Sequence, residues 1–160
     1  MSENGADAAP QPPQMKVLGQ YVRDMSFENV MAQKGGSSDG QPDINVRVNL
    51  DGKKLAPDGQ FEVMVKLGIE SKSKETGDIM FMMELEYVAV FQIGGVAEEQ
   101  LHPFLLIECP RMLFPFIRRI VSDVTRDGGY PPLNLDNIDF LQIYRNEIAR
   151  RQSEAQPENA

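Results

Sequence analysis

The stretch that decides the fold is residues 108–140, which read ECPRMLFPFIRRIVSDVTRDGGYPPLNLDNIDF. Pro110 suits the first turn of a helix, where its missing N–H costs nothing, and the pair Gly128-Gly129 suits a left-handed stop. These two signals predict a helix that begins at Pro110 and ends just before Gly128. Pro115 would lie inside it, where a proline removes a backbone hydrogen bond, so we expect a kink or a late helix start.

The loop after this helix is apolar. It carries Tyr130, Pro131, Pro132, Leu133 and Leu135, whereas connections between elements are normally polar. The two prolines favour an extended backbone. Such a loop either fills the protein's own core or lines a groove that receives another chain.

Four strands are predicted ahead of this helix. In the second and third, every other residue across 44–50 and 61–69 is apolar, which is the pattern of strands with one buried face. We expect the second strand to end in a turn at Asp51-Gly52. The charged stretch 72–78 is expected to form the hairpin turn after the third strand.

The first and fourth strands carry acidic residues on one face. The first runs from about Val17 to Glu28, and strict alternation groups its even-numbered residues on one face. These residues are Leu18, Gln20, Val22, Asp24, Ser26 and Glu28. The fourth strand is apolar at its odd positions from Phe81 to Ile93, and its even positions mix methionine with carboxylate. These even positions are Met80, Met82, Glu84 and Glu86.

A second helix is predicted at the C-terminal end. Asp139 as N-cap and Gln142 three residues later form a capping box, and the helix should end near Arg151. The predicted fold class is therefore α+β: a four-stranded antiparallel sheet followed by a long helix, an apolar connecting loop and a C-terminal helix. We expect one domain over 15–151, with flexible tails at 1–14 and 152–160.

The long helix carries more large apolar side chains than one helix can bury on a four-stranded sheet. Each such side chain left in water forfeits about 1.5–3 kcal/mol, so the surplus predicts an interface between copies of the chain. The residues expected to form this interface are Leu113, Phe116, Ile117, Ile120, Val121 and Val124.

Composition excludes several classes of protein. The chain has 160 residues and a formal net charge of −8, which fits a single domain and argues against nucleic acid as a partner. No signal peptide and no apolar run of membrane-spanning length is present, so we expect a cytoplasmic protein that does not insert into membranes. The single cysteine is consistent with a reducing compartment.

Residues that would carry chemistry are scarce. His102 is the only histidine, no phosphate-binding glycine motif occurs, and no spacing forces two carboxylates together. We therefore predict no catalytic site, no metal site and no cofactor. Two alternatives stay open: a hot-dog-type thioesterase, whose long helix would have to follow its first strand, and a purely structural oligomeric subunit.

Several short motifs occur together in one order. They are Asp24-Met25-Ser26-Phe27-Glu28; Phe81 to Glu84 followed by Phe91; and Cys109-Pro110, Leu113-Phe114-Pro115 and Tyr130-Pro131 with Leu133-Asn134-Leu135. In this order and at these distances they resemble the SecB family of bacterial protein-export chaperones. The resemblance spans about Val17 to Arg151.

The resemblance implies a function and a partner. A SecB-like protein is a cytosolic chaperone that is not an enzyme, holds secretory precursors (its clients) unfolded and delivers them to the SecA motor ATPase. It implies a homotetramer built as a dimer of dimers. It also implies a groove for extended clients, lined here by Phe27, Tyr130, Pro131, Pro132, Leu133 and Phe140.

The resemblance further implies a SecA-docking surface on the sheet face that points away from the long helix. The residues of this chain at the matching positions are Asp24, Glu28, Met82 and Glu84. Alternation supports the grouping independently, because Met82 and Glu84 share a face of the fourth strand and Asp24 and Glu28 share a face of the first.

Overall fold

The protein is described by a computed structural model that covers residues 12–36 and 40–155. Its elements in chain order are β1 (Gln14–Glu28), α1 (Val30–Gln33), β2 (Pro42–Lys54), β3 (Gln60–Ser73), β4 (Ile79–Gly94), α2 (Glu98–Pro103), a π-helical turn (Phe104–Glu108), α3 (Cys109–Asp127) and α4 (Phe140–Ala155). The tails predicted to be flexible lie mostly outside the described residues.

The four strands form one antiparallel sheet in the order β1-β4-β3-β2. All four precede α3, as the sequence predicted, and this order counts against the hot-dog alternative. The predicted α+β class is confirmed. Because β1 and β2 lie at the two edges, β3 and β4 form the centre of the sheet, and their apolar faces form the core.

The inner face of the sheet, which packs under the helices, agrees with the predicted alternation on both central strands. Its buried side chains on β3 and β4 are Phe61, Val63, Val65, Leu67, Ile69, Phe81, Met83, Leu85, Tyr87, Ala89, Phe91 and Ile93. Alternation predicts such strands well because their apolar side chains follow the period of the backbone pleat.

The turn predicted at Asp51-Gly52 is wrong. Gly52 still pairs with Val63 within the β2–β3 ladder, and the chain reverses only after Lys54, with Gly59 at φ +73°. A Cβ on Gly52 would lie 3.5 Å from the side chain of Leu105. That distance is an ordinary van der Waals contact, so packing against the π-helical turn does not require a glycine at this position.

Two β-bulges in β1 make its predicted face assignment partly wrong. Leu18 and Arg23 are inserted between residues that pair with consecutive residues of β4. Each inserted residue shifts the alternation by one, because a bulge places two residues opposite one. Gln20 and Val22 consequently lie on the inner face opposite Ala89 and Tyr87, instead of on the face of Asp24.

A third bulge removes Met80 from the predicted outer face. Ser71 pairs with Phe81 and Lys72 pairs with Ile79, so Met80 has no partner on β3. Its side chain turns inward and is buried. The expectation that Met80 shares a face with Met82 is therefore wrong, because the extra residue reverses the direction of the side chain.

The helical segment before α3 is continuous with it through the π-helical turn. The helix α3 begins at Cys109, so the late start that Pro115 suggested is wrong. The π-helical turn ends directly before α3, where the ring of Pro110 would clash with the carbonyl of Leu106 in a regular α-helix. At the far end Gly129 takes a positive φ of +88°, as the predicted stop requires.

The C-terminal helix begins as predicted. The Gln142 N–H donates to the Asp139 carboxylate at 3.1 Å, which is the capping bond that the sequence indicated. The helix α4 extends to Ala155, four residues beyond the predicted end at Arg151. It packs on the core mainly through Phe140 and Ile143.

One row of α3 side chains forms the contact with the sheet. This row repeats every four residues and is almost fully buried: Cys109, Leu113, Ile117, Val121 and Thr125. Leu113, Ile117 and Val121 have an exposed fraction of at most 1 %. These three were predicted to form an interface between copies, and that assignment is wrong, because their surface is already used by the protein's own sheet.

Cys109 is predicted to be inert in the folded protein. Burial raises the pKa of its thiol from 9.0 to about 12, so at pH 8 the thiolate fraction falls by roughly 1,000-fold. We expect no alkylation by iodoacetamide in native buffer and rapid alkylation in guanidinium chloride, as measured by mass spectrometry. In the structure Cys109 packs against Met15, with 3.5 Å between their sulfur atoms. Rapid alkylation of the native protein would contradict this packing.

Candidate functional site

The apolar loop after α3 forms one wall of a cavity of about 260 Å³. The opposite walls come from the start of β2 and from the β3–β4 hairpin. The lining residues are Gly40, Pro42, Ile44, Ser71, Met80, Phe81, Tyr130, Pro131, Pro132 and Leu133. We call this space the loop cavity. It brings together Tyr130, Pro131, Pro132 and Leu133, four of the residues that were predicted to line a groove.

The other two predicted groove residues lie elsewhere. Phe140 is 1 % exposed and packs edge-on against Phe114 with ring centroids 6.0 Å apart, so its assignment to a groove is wrong. Phe27 lies behind the cavity, with its ring 5.4 Å from that of Phe81. A Cβ on Gly128 would lie 2.6 Å from Phe27 Cζ, which shows how closely this ring fits against the end of α3.

Hydrogen bonds hold the loop in place at both ends of its cavity wall. The Tyr130 hydroxyl donates to Asn29 Oδ1 at 2.6 Å and lies 2.9 Å from the Met80 carbonyl. Burial raises the pKa of the Tyr130 hydroxyl, so it stays protonated and able to donate at neutral pH. Further along, the Leu133 N–H donates to Thr125 Oγ1 at 2.9 Å. The wall is therefore ordered without any occupant.

The sheet face that points away from α3 carries the second predicted set of residues. Glu28 on β1 lies directly opposite Met82 on β4, and Ser26 lies opposite Glu84. Asp24 lies opposite Glu86, one pair further along. The structure therefore places the predicted residues on two neighbouring strands and on one face. We call this region the outer acidic face.

Basic side chains neutralise only part of the outer sheet face. Arg23 lies 3.0 Å from Glu86 and 3.8 Å from Glu62, and Lys53 and Lys66 add further ion pairs to these two carboxylates. By contrast, the carboxylates predicted from the sequence form no ion pair with any described residue. These are Asp24, Glu28 and Glu84. The negative charge of the outer acidic face is thus left uncompensated.

Sequence reasoning missed one carboxylate of this region. Glu70 on β3 lies opposite Met82, on the side away from Glu28, so the methionine is flanked by a carboxylate on each side. Its ion pair with Lys72 is 3.1 Å long and exposed. The even position of Glu70 in the third strand indicated that its side chain lies on the outer face. Only the strand order, which puts β3 beside β4, shows that Glu70 lies next to Met82.

A third group of exposed apolar side chains lies on α3 and β1, two elements that are in contact at Cys109 with Met15 and at Gly128 with Phe27. Met112 and Phe116 are each 42 % exposed, on the side of α3 away from Phe114 and α4. Val22 and Met25, on the inner face of β1, are exposed to a similar degree. We call these four residues the α3–β1 apolar surface. Of the predicted interface residues, Phe116 belongs to this surface.

The partly buried Ile120 and Val124 continue the row of Met112 and Phe116. The bulge at Arg23 places Val22 on the inner face of the sheet, the face on which α3 packs, and alternation could not reveal this.

None of the helices in the described part of the chain is long and apolar enough to cross a membrane. Over residues 12–36 and 40–155, no group of three or more His, Cys, Asp or Glu side chains is arranged to hold a metal ion.

Known proteins resemble this chain along almost its whole length. The family model described as "Preprotein translocase subunit SecB" matches residues 8–151. The protein-export protein SecB of Ruegeria pomeroyi is 65% identical over 99% of this chain and 97% of its own length. The protein-export protein SecB of Roseobacter denitrificans is 63% identical over 95% of this chain and 92% of its own.

A solved structure shares the fold. It is the SecB-like chaperone Rv1957 of Mycobacterium tuberculosis, in complex with a ChAD peptide from the Rv1956 HigA1 antitoxin. The TM-score is 0.65 at 17% identity, with 78% of this chain and 90% of that chain covered. With the family model matched over most of its residues and relatives identical at nearly two positions in three, this chain belongs to the SecB family of protein-export chaperones.

Proposed function

We propose that this protein is a cytoplasmic export chaperone that binds unfolded precursors at the loop cavity and delivers them to the SecA translocation motor. The observation that carries the proposal is a preformed apolar cavity, held open by hydrogen bonds, in a chain of the SecB family. Binding a client and delivering it requires no chemical reaction by this protein, and we assign it no enzymatic activity.

The chemistry of the loop cavity suits an extended apolar segment. Phe81 and Tyr130 present aromatic surface, with ring centroids 4.9 Å apart, and Pro131 and Pro132 stiffen the rim. A wall that is ordered in advance loses little conformational entropy when a client enters. Apolar lining with few polar groups makes little demand on client sequence, so selection rests on whether the client is unfolded.

The outer acidic face suits the handover to SecA. Three unpaired carboxylates would steer a basic segment of the motor to this face, where Met82 offers an apolar contact beside Glu28 and Glu84. The face lies on the opposite side of the sheet from the loop cavity, since Met82 and Glu84 point away from the side of Phe81. Both partners can therefore be bound at the same time.

The α3–β1 apolar surface suits assembly. Met112, Phe116, Val22 and Met25 lie on neighbouring elements, and a second copy would remove all four from water. We infer the homotetramer, a dimer of dimers, from the SecB family and place one of its contacts on this surface.

A charge placed in the cavity wall is expected to abolish client binding. Leu133→Asp introduces a carboxylate that an apolar client segment would have to desolvate, so we expect binding of a reduced, carboxymethylated protein to weaken by about 100-fold or more. Isothermal titration or fluorescence anisotropy would measure it. Leu133 is partly buried, so native mass and circular dichroism must first show an intact fold.

The matched control is Val96→Asp, which makes the same kind of change in another cavity, at the end of β4. This control is expected to bind the client within about twofold of the wild type. If Leu133→Asp binds as well as the wild type while Val96→Asp does not, clients enter at that cavity and the site assignment is wrong.

A further inference from the structure

Asn29 lies between β1 and α1, and its side-chain amide joins three parts of the chain. Its Oδ1 accepts from the Ala32 N–H at 3.2 Å, which caps α1, and from the Tyr130 hydroxyl at 2.6 Å. Its Nδ2 donates to the Gly128 carbonyl at 2.8 Å, at the end of α3. One amide therefore ties the end of an edge strand to both ends of the turn that opens the apolar loop.

The Tyr130 hydroxyl has a second hydrogen-bond acceptor, which lies at the bulge in β4. Met80, whose carbonyl lies 2.9 Å away, is the bulge residue of β4 and has no partner on β3. The hydroxyl carries one hydrogen, so Asn29 and Met80 share it. The ring of Tyr130 is held against Phe81, and this pair forms the floor of the loop cavity.

We propose that Asn29 is a positioning residue for client binding, which orders the wall of the loop cavity through Tyr130 without contacting the client. This inference rests on the proposed function and deepens it. Thr125 already fixes the far end of the wall through the Leu133 N–H. Asn29 fixes the near end through its hydrogen bond with the Tyr130 hydroxyl. The loop is thus held at two points, and its apolar side chains stay turned toward the cavity.

The other role of Asn29 is structural, as the cap of α1. Serine also caps helices well, but its side chain is too short to reach both the Gly128 carbonyl and the Tyr130 hydroxyl. Asn29→Ser therefore keeps the capping role and removes the two long-range bonds. Tyr130→Phe removes only the hydroxyl and keeps the ring that packs on Phe81.

The test compares the wild type with Asn29→Ser, Tyr130→Phe and the double variant, all as full-length assemblies of confirmed native mass. The first readout is the dissociation constant for a reduced, carboxymethylated protein that cannot refold. The second is backbone amide exchange over residues 129–135, which reports the order of the wall without any client.

Each single variant is expected to bind the client about five- to tenfold more weakly, because the wall must be ordered on binding. The loss in the double variant should be smaller than the product of the two single losses, because both changes break the Asn29–Tyr130 hydrogen bond, while each also removes one bond of its own, to Gly128 or to Met80. Exchange over 129–135 should accelerate in all three variants while the exchange of β3 stays unchanged.

The inference is overturned if Asn29→Ser binds the client like the wild type, or if the two single effects simply multiply in the double variant. Faster exchange throughout the sheet would also overturn it, since that result means general destabilisation. A wild-type protein that binds no unfolded client would instead overturn the proposed function itself, and this inference with it.

Discussion

Phe116→Asp is expected to break the assembly apart while each protomer stays folded. Phe116 is 42 % exposed in the protomer, so the change removes little from the protomer's own core. A buried phenylalanine contributes about 1.5–3 kcal/mol, and a twofold-symmetric contact uses it twice. The dissociation constant between copies should therefore rise by roughly 100-fold or more. Light scattering at micromolar concentration would show a smaller native mass.

A matched control for this experiment is Ser122→Asp. It adds the same charge to α3 on the polar side of the helix, away from Phe116. The control is expected to keep the wild-type native mass. An unchanged mass for Phe116→Asp, with unfolding temperatures equal to those of the control, would show that the α3–β1 apolar surface is not an assembly contact.

The double charge reversal Asp24→Lys with Glu84→Lys is expected to abolish SecA docking and to leave client binding intact. Neither carboxylate has an ion-pair partner among the described residues, so the reversal breaks no ion pair within the described part of the chain. Like charges at an interface cost several kcal/mol, which corresponds to roughly 100-fold in affinity. Surface plasmon resonance with immobilised SecA would measure the loss.

The control with the same total change in charge is Glu98→Lys with Glu99→Lys on α2, where both side chains are exposed. It should bind SecA within about threefold of the wild type. Wild-type binding should itself weaken as salt rises, because exposed charges are screened over about 8 Å at physiological ionic strength. SecA binding that survives the reversal at low salt would show that docking occurs elsewhere.

Local patterns in the sequence were enough to predict most of the architecture. The inner faces of β3 and β4, the end of α3 at Gly128-Gly129 and the Asp139 cap of α4 all agree with the structure. Each depends on residues a few positions apart, because side-chain period and backbone capping are local properties. The acidic residues of the outer face were likewise grouped correctly, since no bulge separates Asp24 from Glu28.

Residues whose role depends on a distant neighbour could not be assigned in this way. Phe27 and Phe140 look like Tyr130 in sequence, yet only Tyr130 lines the loop cavity. The difference arises from what packs against each ring, which is Gly128 for Phe27 and Phe114 for Phe140. Likewise, Leu113 and Phe116 are equally apolar, and only their rotation around α3 separates core from surface.

The sequence by itself determined the order of the elements, the buried faces of the central strands and the family of the protein. Only the tertiary structure decided where β1 and β4 bulge, and with that the faces of Val22 and Met80. It also decided which carboxylates remain without an ion pair. The hydrogen bond between Asn29 and Tyr130, which are 101 positions apart in the chain, likewise depends on the tertiary structure. The physical reason is that one inserted residue reverses every later side chain in a strand, while ion pairs and side-chain hydrogen bonds join residues without regard to their distance along the chain.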